Sequence, residues 1–534
     1  MRAENLVDIY ELSPLQQGLL FHSLYAPESG VYIEQLTITL SGDIDLPAFK
    51  WAWEQAMGRH AVLRTAFYWE GIEKPHQVVY REVELPWEQH DWRSLSETQQ
   101  AEQMKKYLSA DRARGFDFSQ PPMMRFALMQ IADKVYRLVW CFHHVILDGW
   151  STGVILKDVA AFYKARTQGT EPELVEERPY SDYISWIKAQ DLSAAENFWR
   201  TTLKGFARPT RLNLGHGGVA SVESATEVAH HLDETAEAEY YARQLYTLSS
   251  ETSTAIFAFA RQHQLTVNTL VQAAWAVLLS RYSGEQDVVF GVTSSGRPPE
   301  IKGVEQMVGL FVNTLPMRLK LDATLPVADW LQQVQRQQFQ SRQYEYSPLV
   351  EVQGWSEVPR GEQLFESLLG YQNYPIRLDS SLFSLDGRLE ASDIGALEMV
   401  SFPLCFLVIP GEELMVRVYH DLRRFDVATV KRMAGHFEML LKGIVAHPDR
   451  SVNELSILTA VEEQEIVVDW NRTTTDYPRN KSLAELFEAQ VERAPDSIAL
   501  TSGEVQLTYS ELNCRANQLA HHLQSLGVKR EALV

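Results

Sequence analysis

KVYRLVWCFHHVILDGWSTGVILKDVAAFYKAR, residues Lys134 to Arg166, changes period part-way along. Lys134 to Phe142 is dense in β-branched and aromatic residues and predicts a strand, whereas Ser151 to Arg166 carries apolar residues at helical spacing, with Ser151 as its N-cap. Between them lies HHVILDG, His143 to Gly149, a strand-to-helix turn carrying two imidazoles, a carboxylate and a glycine. If the strand geometry persists through the histidines, their side chains point to opposite faces, so one of His143 and His144 faces a given cavity and the other is structural. Imidazole suits a site where a proton leaves an attacking amine, since its reference pKa of about 6.5 permits a neutral form at cell pH. Asp148 is placed to pair with an arginine and lock the loop, and Gly149 to permit a tight turn or to present a backbone amide to a reacting oxygen. These groups are compatible with acyl transfer. The same letters also suit a buried histidine with satisfied hydrogen bonds, an Asp-Gly turn and a helix cap. The doublet alone carries little: with 15 histidines, about 0.4 such pairs are expected by chance, and His230-His231 and His521-His522 are two more.

Outward from this turn, helical spacing recurs at Leu46 to Arg59 and at Ser253 to Tyr282, the latter broken near Gln264. Strands are expected at Asp287 to Val292 and Glu413 to Tyr419. Helices and strands alternate without a strict βαβ period, so the class is mixed α/β. The fragment LGHGGVAS, from Leu214, faintly suggests a carrier-protein serine site but lacks a tight Gly-Gly-x-Ser and is rejected. WNRTTTDYPRNKSL, from Trp470, reads as an extended linker, with a new domain starting near Leu483.

Composition bounds the function. The 534 residues, 45% hydrophobic and 22% charged, hold apolar material for more than one packed core. A net charge of −21 disfavours a broad phosphate-binding face and hence nucleic acid, while leaving room for a local basic patch that receives a phosphorylated carrier arm. Cys141, Cys405 and Cys514 form no CxxC pair, which argues against a disulfide framework and a zinc site and fits a reducing cytoplasm. MRAENLVDIYE has no signal-peptide core, and no stretch approaches the roughly 20 apolar residues that span a bilayer. A cytoplasmic protein with no membrane partner and no bound metal is expected.

HHxxxDG, with what surrounds it, resembles the acyltransferase signature of the condensation domains of nonribosomal peptide synthetases. Ser13 to His22 (SPLQQGLLFH) is similar to that family's first core motif and Arg59 to Phe67 (RHAVLRTAF) to its second. Tyr180 to Trp186 (YSDYISW) resembles the fourth and Val308 to Arg318 (VGLFVNTLPMR) the fifth, followed by Tyr344 to Leu349 (YEYSPL) and Leu364 to Ser367 (LFES). The ordered matches make coincidence implausible. The resemblance implies two chloramphenicol-acetyltransferase-like lobes in a V-shaped pseudo-dimer, with a tunnel entered from both ends by phosphopantetheine arms. It implies an N-lobe over 13–175 and a C-lobe over 176–457, with a possible docking segment at 1–12, a linker at 458–482 and the start of an adenylation domain at 483–534. Under it His144 is the active-site histidine, His143 its structural neighbour, Asp148 the partner of an arginine for which Arg297 in TSSGRP is the candidate, and Gly149 part of the same turn. Arg64 is expected to make a structural ion pair, and Asn313 to satisfy backbone groups where a segment crosses between lobes rather than to face the tunnel floor.

The resemblance also implies an enzyme that joins an upstream peptidyl thioester to the amine of an aminoacyl thioester, with no directly bound cofactor because carrier domains deliver both substrates. Ile146 and Leu147 before Asp148, together with SPLQQGLLFH, NTLPMR, SPLVEVQGWSEVP and the NYP of Asn373 to Pro375, resemble the subtype that accepts a donor ending in a D-residue. The expected partners are then an upstream synthetase with epimerisation and carrier domains and a downstream carrier, the chain itself being monomeric. MRAENLVDIYELSP resembles the short acceptor segments through which separate synthetases dock; a frayed terminus is its plainer reading. LTYSEL and NCRANQLAHHL, from Leu507, resemble the first core motif of an adenylation domain, and the fragment is expected neither to bind ATP productively nor to activate an amino acid. An epimerisation domain shares HHxxxDG but needs a second proton-transfer group and is disfavoured by the adenylation-like sequence that follows; cyclising relatives carry an Asp-based motif instead. A non-catalytic platform that docks carriers is the rival from another class.

Overall fold

The computed structural model describes residues 5–212, 241–374, 389–397 and 402–533. LGHGGVAS, the His230-His231 pair, Pro375 and residues 1–4 lie outside them. The chain divides into two compact units, Met1–Thr459 and Ala460–Val534.

The first unit opens with β1 (Leu6–Glu11), α1 (Pro14–Tyr25), β2 (Ile33–Gly42), α2 (Leu46–Arg59), β3 (Thr65–Tyr68), β4 (His76–Tyr80), β5 (Trp87–Asp91) and α3 (Glu97–Arg114). It continues with β6 (Met124–Ala132), β7 (Val135–His143), α4 (Gly149–Gln168), α5 (Tyr180–Lys188) and α6 (Leu192–Leu203). LVDIY is not frayed: as β1 it pairs antiparallel with β4 at the edge of a three-stranded sheet ordered β1-β4-β3. β7 runs between β2 and β6, antiparallel to both, and extends one residue beyond the expected strand to include His143, opposite Ile33. Its alternation is two-sided. Leu138, Trp140 and Phe142 enter the main core of this half, whereas Val139 packs on the other face with Trp92, Ala127 and Met129.

The remaining elements are β8 (Tyr241–Thr247), α7 (Ser250–Gln262), α8 (Val267–Ser283), β9 (Asp287–Ser294), β10 (Asn313–Lys320), α9 (Val327–Arg342), α10 (Leu349–Trp355), β11 (Ser367–Tyr371), β12 (Leu389–Leu397), β13 (Leu404–Ile409), β14 (Met415–Asp421) and α11 (Val427–Ala446). The break near Gln264 is real: its φ is +55°, and Thr266 caps the next helix by accepting from the Thr269 amide. α8 is buried on every side from Thr269 to Ser280, within a second core shared with α7, α9, α11 and a six-stranded sheet ordered β10-β9-β11-β13-β14-β8. β12 does not join that sheet; it adds antiparallel to β2 and completes a five-stranded sheet, β12-β2-β7-β6-β5.

The two halves are not contiguous in sequence. Tyr180, Tyr183 and Ile184 of α5, together with Ile301, Val304, Met307, Phe311 and Ala391, are buried in the first core, all beyond the boundary expected at 175. The reason is the crossings: one segment, 301–311, returns to lie against α4 and α5, and β12 returns to the sheet edge. Among the described residues no helix is long and apolar enough to cross a membrane, and no group of three His, Cys, Asp or Glu is placed to hold a metal ion.

In the second unit, a short helix, α12 (Ala460–Gln464), precedes α13 (Leu483–Arg493), the hairpin β15 (Ile498–Ser502) and β16 (Val505–Thr508), and the helix α14 (Tyr509–Ser525). Ser482 with Glu485, and Thr508 with Glu511, form reciprocal capping boxes that start α13 and α14. His521 and His522 sit exposed in α14.

An ionic clasp fastens the connection between α4 and α5. The His60 ring, 1% exposed, places Nε2 3.0 Å from Asp158 Oδ2 on α4 and Nδ1 2.7 Å from Glu177 Oε1 on the connection. Arg59 also reaches Asp158, at 2.9 Å. Burial opposes charging this imidazole, but its bonds to the two carboxylates outweigh that and raise its pKa. A histidine whose folded pKa is raised contributes stability that is fully present below its unfolded value of about 6.5 and is lost as pH rises through the folded value. Thermal stability is thus expected to decline above about pH 6.5, and His60→Gln to flatten that decline; equal slopes in the two melting series would refute the clasp.

Candidate active site

The strand-to-helix turn separates the two histidines as the alternation requires. His143, still in β7, is 2% exposed, with its ring edge-on to Phe118 at 4.8 Å. Its Nδ1 accepts the Val145 amide at 3.1 Å, so Nε2 carries the proton and faces Ser23 Oγ at 3.1 Å, while that hydroxyl donates to the Leu19 carbonyl at 2.8 Å. Burial, then the neighbouring His144, pushes the His143 pKa down to about 3. His143 is a neutral, fully engaged structural imidazole.

His144 is half-buried. Its amide donates to the Tyr32 carbonyl at 2.8 Å, which ends the β2–β7 pairing, and Tyr32 itself has the left-handed φ of +68°. The ring nitrogen Nδ1 hydrogen-bonds the Leu147 carbonyl. A carbonyl can only accept, so Nδ1 holds the proton and the neutral ring presents its lone pair at Nε2. Gln16 braces the turn from α1, donating to the Val145 carbonyl at 2.9 Å.

Asp148, not Ser151, caps α4: its Oδ1 accepts the Ser151 amide at 2.8 Å. Ser151 does something the local sequence does not reveal. Its hydroxyl donates to the Gly309 carbonyl at 2.8 Å and accepts from the Gly309 amide at 3.1 Å and from Arg297 at 3.0 Å. Asp148 Oδ2 accepts the Phe311 amide at 3.0 Å, so the crossing segment is stitched to the first turn of α4. Arg297, 5% exposed, reaches Asp148 Oδ1 at 3.3 Å, donates to the Val304 and Met307 carbonyls and lies over the Phe311 ring at 4.0 Å. Burial lowers its pKa, with Asp148 opposing. Gly296, φ +59°, allows the approach: a Cβ there would lie 1.7 Å from the Phe311 carbonyl oxygen.

Gly149 has no left-handed backbone, so the tight-turn expectation for it does not hold. Its missing side chain makes room instead: a Cβ would stand 2.7 Å from the hydroxyl oxygen of Tyr374.

The remaining candidates lie outside this cluster. Among the described residues Arg64 makes no ion pair; it donates to the carbonyls of Met57, Gly58, Tyr80 and Arg81, tying the end of α2 to the end of β4. A guanidinium has five donors, and the last turn of α2 and the end of β4 offer it carbonyls rather than a carboxylate. Asn313 donates to the carbonyls of Glu345 and Ser347 and accepts the Thr314 amide, fixing the YEYSPL loop on β10. Sequence reasoning gave no role to Gln16 or Tyr32, and met Tyr374 only within the NYP match to the D-donor subtype. Gln16 carried a signal, since a glutamine three residues after Ser13 completes a capping box.

A condensation domain family model matches residues 7–467, and an AMP-binding enzyme model matches residues 487–534. One of the linear gramicidin synthase proteins of Brevibacillus parabrevis is 44% identical over 532 residues, which are 99% of this chain and 7% of that protein. Bacitracin synthase 3 of Bacillus licheniformis is 34% identical over 535 residues, 98% of this chain and 8% of that protein. The chain thus spans less than a tenth of the length of these relatives. Among solved structures, a four-domain nonribosomal peptide synthetase bound to AMP and glycine superposes over 99% of this chain and 40% of its own with a TM-score of 0.71 at 18% identity. The first condensation domain of the calcium-dependent antibiotic synthetase, in complex with a substrate analogue, covers 85% of this chain and 100% of its own with a TM-score of 0.67 at 15% identity. These likenesses carry the two-lobed, chloramphenicol-acetyltransferase-like fold. The chain belongs to the condensation-domain family of nonribosomal peptide synthetases, whose members form amide bonds, and continues into sequence similar to an AMP-binding enzyme.

Proposed function

We propose that the first unit joins an upstream peptidyl thioester, ending in a D-residue, to the α-amine of an aminoacyl thioester, both delivered on phosphopantetheine arms of carrier domains. The observation that carries this is the His144 ring, locked through Nδ1 to the Leu147 carbonyl so that Nε2 is left as an acceptor beside the first turn of α4. An amine attacking the thioester carbonyl forms the C–N bond as the C–S bond breaks. The proton shed by the nitrogen passes to His144 Nε2 and then to the departing thiolate. The Nδ1 bond holds the ring through that cycle and stabilises the imidazolium.

Alignment of two tethered reactants supplies the larger share of the acceleration: effective molarity is worth roughly 7–11 kcal/mol, a general base roughly 10²- to 10⁴-fold. A free α-amine, with a pKa of about 7.7–8, is already partly neutral at cell pH, so His144 orients the nucleophile as well as receiving its proton. Asp148 and Arg297 hold the turn by the stitching described above, and His143 fixes the end of the strand. The D-donor assignment is supported by Leu147, buried just before Asp148 at the position where the L-donor subtype usually shows a small polar residue. The partners that follow are an upstream synthetase with epimerisation and carrier domains and a downstream carrier, acting with a monomeric chain. Cys141, Cys405 and Cys514 form no disulfide, which supports a reducing, cytoplasmic setting.

The test is single-turnover product formation, with D- or L-terminated donors on one carrier and an aminoacyl thioester on another. Peptide-bond formation faster from the D-donor is the expected result. Carrier binding without product from either donor would instead establish a docking platform.

A further inference from the structure

Gly149 opens α4, one residue after Asp148 and five after His144 in the chain, and its backbone would suit any residue. What a side chain there would meet is Tyr374, whose hydroxyl oxygen, Cζ and Cε2 stand 2.7, 2.8 and 3.0 Å from the point a Cβ would occupy. This tyrosine comes from the other half of the unit. β11 lies inside the six-stranded sheet, between β9 and β13, and the chain leaves it through Gln372, whose amide donates to the Val408 carbonyl at 2.8 Å. Two residues later the ring rests on the first turn of the helix that carries the catalytic turn. It is not packed away: Tyr374 is 38% exposed, although it reaches a turn in which His143, Leu147 and Asp148 are buried and His144 is half-buried.

A large aromatic group resting against Gly149, five residues from His144, with over a third of its surface open, bounds the space beside it. The bond that forms joins a carbonyl carbon to a nitrogen, and each is one bond from an α-carbon stereocentre. A wall at that point touches whichever substituent an inverted α-carbon turns toward it. We propose that Tyr374 is a substrate-contacting, specificity-determining residue that sets which α-carbon configuration is accepted. The inference rests on the condensation reading above. A rigid ring excludes by shape, and shape discrimination of this kind is worth about 10- to 200-fold in kcat/KM.

The experiment measures, on the full chain, the ratio of single-turnover rates for D- and L-donors and for D- and L-acceptors, all carrier-bound. Wild type is expected to discriminate at one or both α-carbons, Tyr374→Ala to lose at least about tenfold of that ratio, and Tyr374→Phe, which keeps the ring, to retain it. Should Tyr374→Ala make no product, Tyr374→Leu is read in its place. Unchanged ratios at both α-carbons in the ring-less variant, or no discrimination by wild type, overturn the proposal. A wild type that prefers the L-donor defeats the D-donor assignment alone, because the loss of preference on removing the ring is read independently of its sign.

Discussion

His144→Ala is expected to lower the single-turnover rate of peptide formation by roughly 10²- to 10⁴-fold while leaving the melting temperature of the chain nearly unchanged. The ring is half-buried, and among the described residues its hydrogen bond goes to the Leu147 carbonyl alone. The main-chain bond to Tyr32 survives the substitution, so the turn keeps its path. His144→Gln separates the two contributions of the imidazole. A glutamine oxygen can accept a hydrogen bond from the amine and orient it, yet cannot carry the proton to the thiolate. A Gln variant much faster than the Ala variant assigns most of the effect to orientation; equal losses assign it to proton transfer. An alanine variant as fast as wild type, with both carriers bound, would remove His144 from the mechanism.

What the sequence discloses and what it hides divide along the range of the interactions. Period-2 and helical patterns follow from burial of one face, so β7, α2, α4 and the broken pair α7 and α8 are legible locally, and the alternation through His143 and His144 separates a buried ring from an accessible one. The cap of α4 is not legible, because Asp148 and Ser151 are both good N-cap residues; the choice is made by Gly309 and Arg297, well over a hundred positions away, which claim the serine hydroxyl. Arg64 misleads for a related reason: its motif shows a cation but not which acceptors the fold brings to it. Gly149 is the sharpest case. Its letter suggests conformational freedom, whereas its role in the structure is to admit a ring from a residue 225 positions later.

The second large effect is expected at the buried pair that fastens the turn. Asp148 and Arg297 are both about 5% exposed, and removing one partner leaves the other charge buried without its counter-ion, a loss of roughly 3–5 kcal/mol for pairs of this kind. Asp148→Asn keeps the volume and the cap on the Ser151 amide but strands the guanidinium; Arg297→Met keeps much of the apolar stem against Phe311 but strands the carboxylate. Each is expected to lower the urea midpoint of the first unit strongly. The double variant should fall well short of the sum, because with both charges gone no unpaired ion remains to be buried. The screening length of about 8 Å at physiological ionic strength acts through solvent, which barely reaches this pair, so added salt should leave the coupling intact. Strict additivity, or a coupling that disappears in salt, would mean that the carbonyls of Val304 and Met307 and the Phe311 ring hold Arg297 by themselves. The His143–Gly149 turn would then be secured by Ser151 and the crossing segment, and Asp148 would matter as a helix cap and not as an ion.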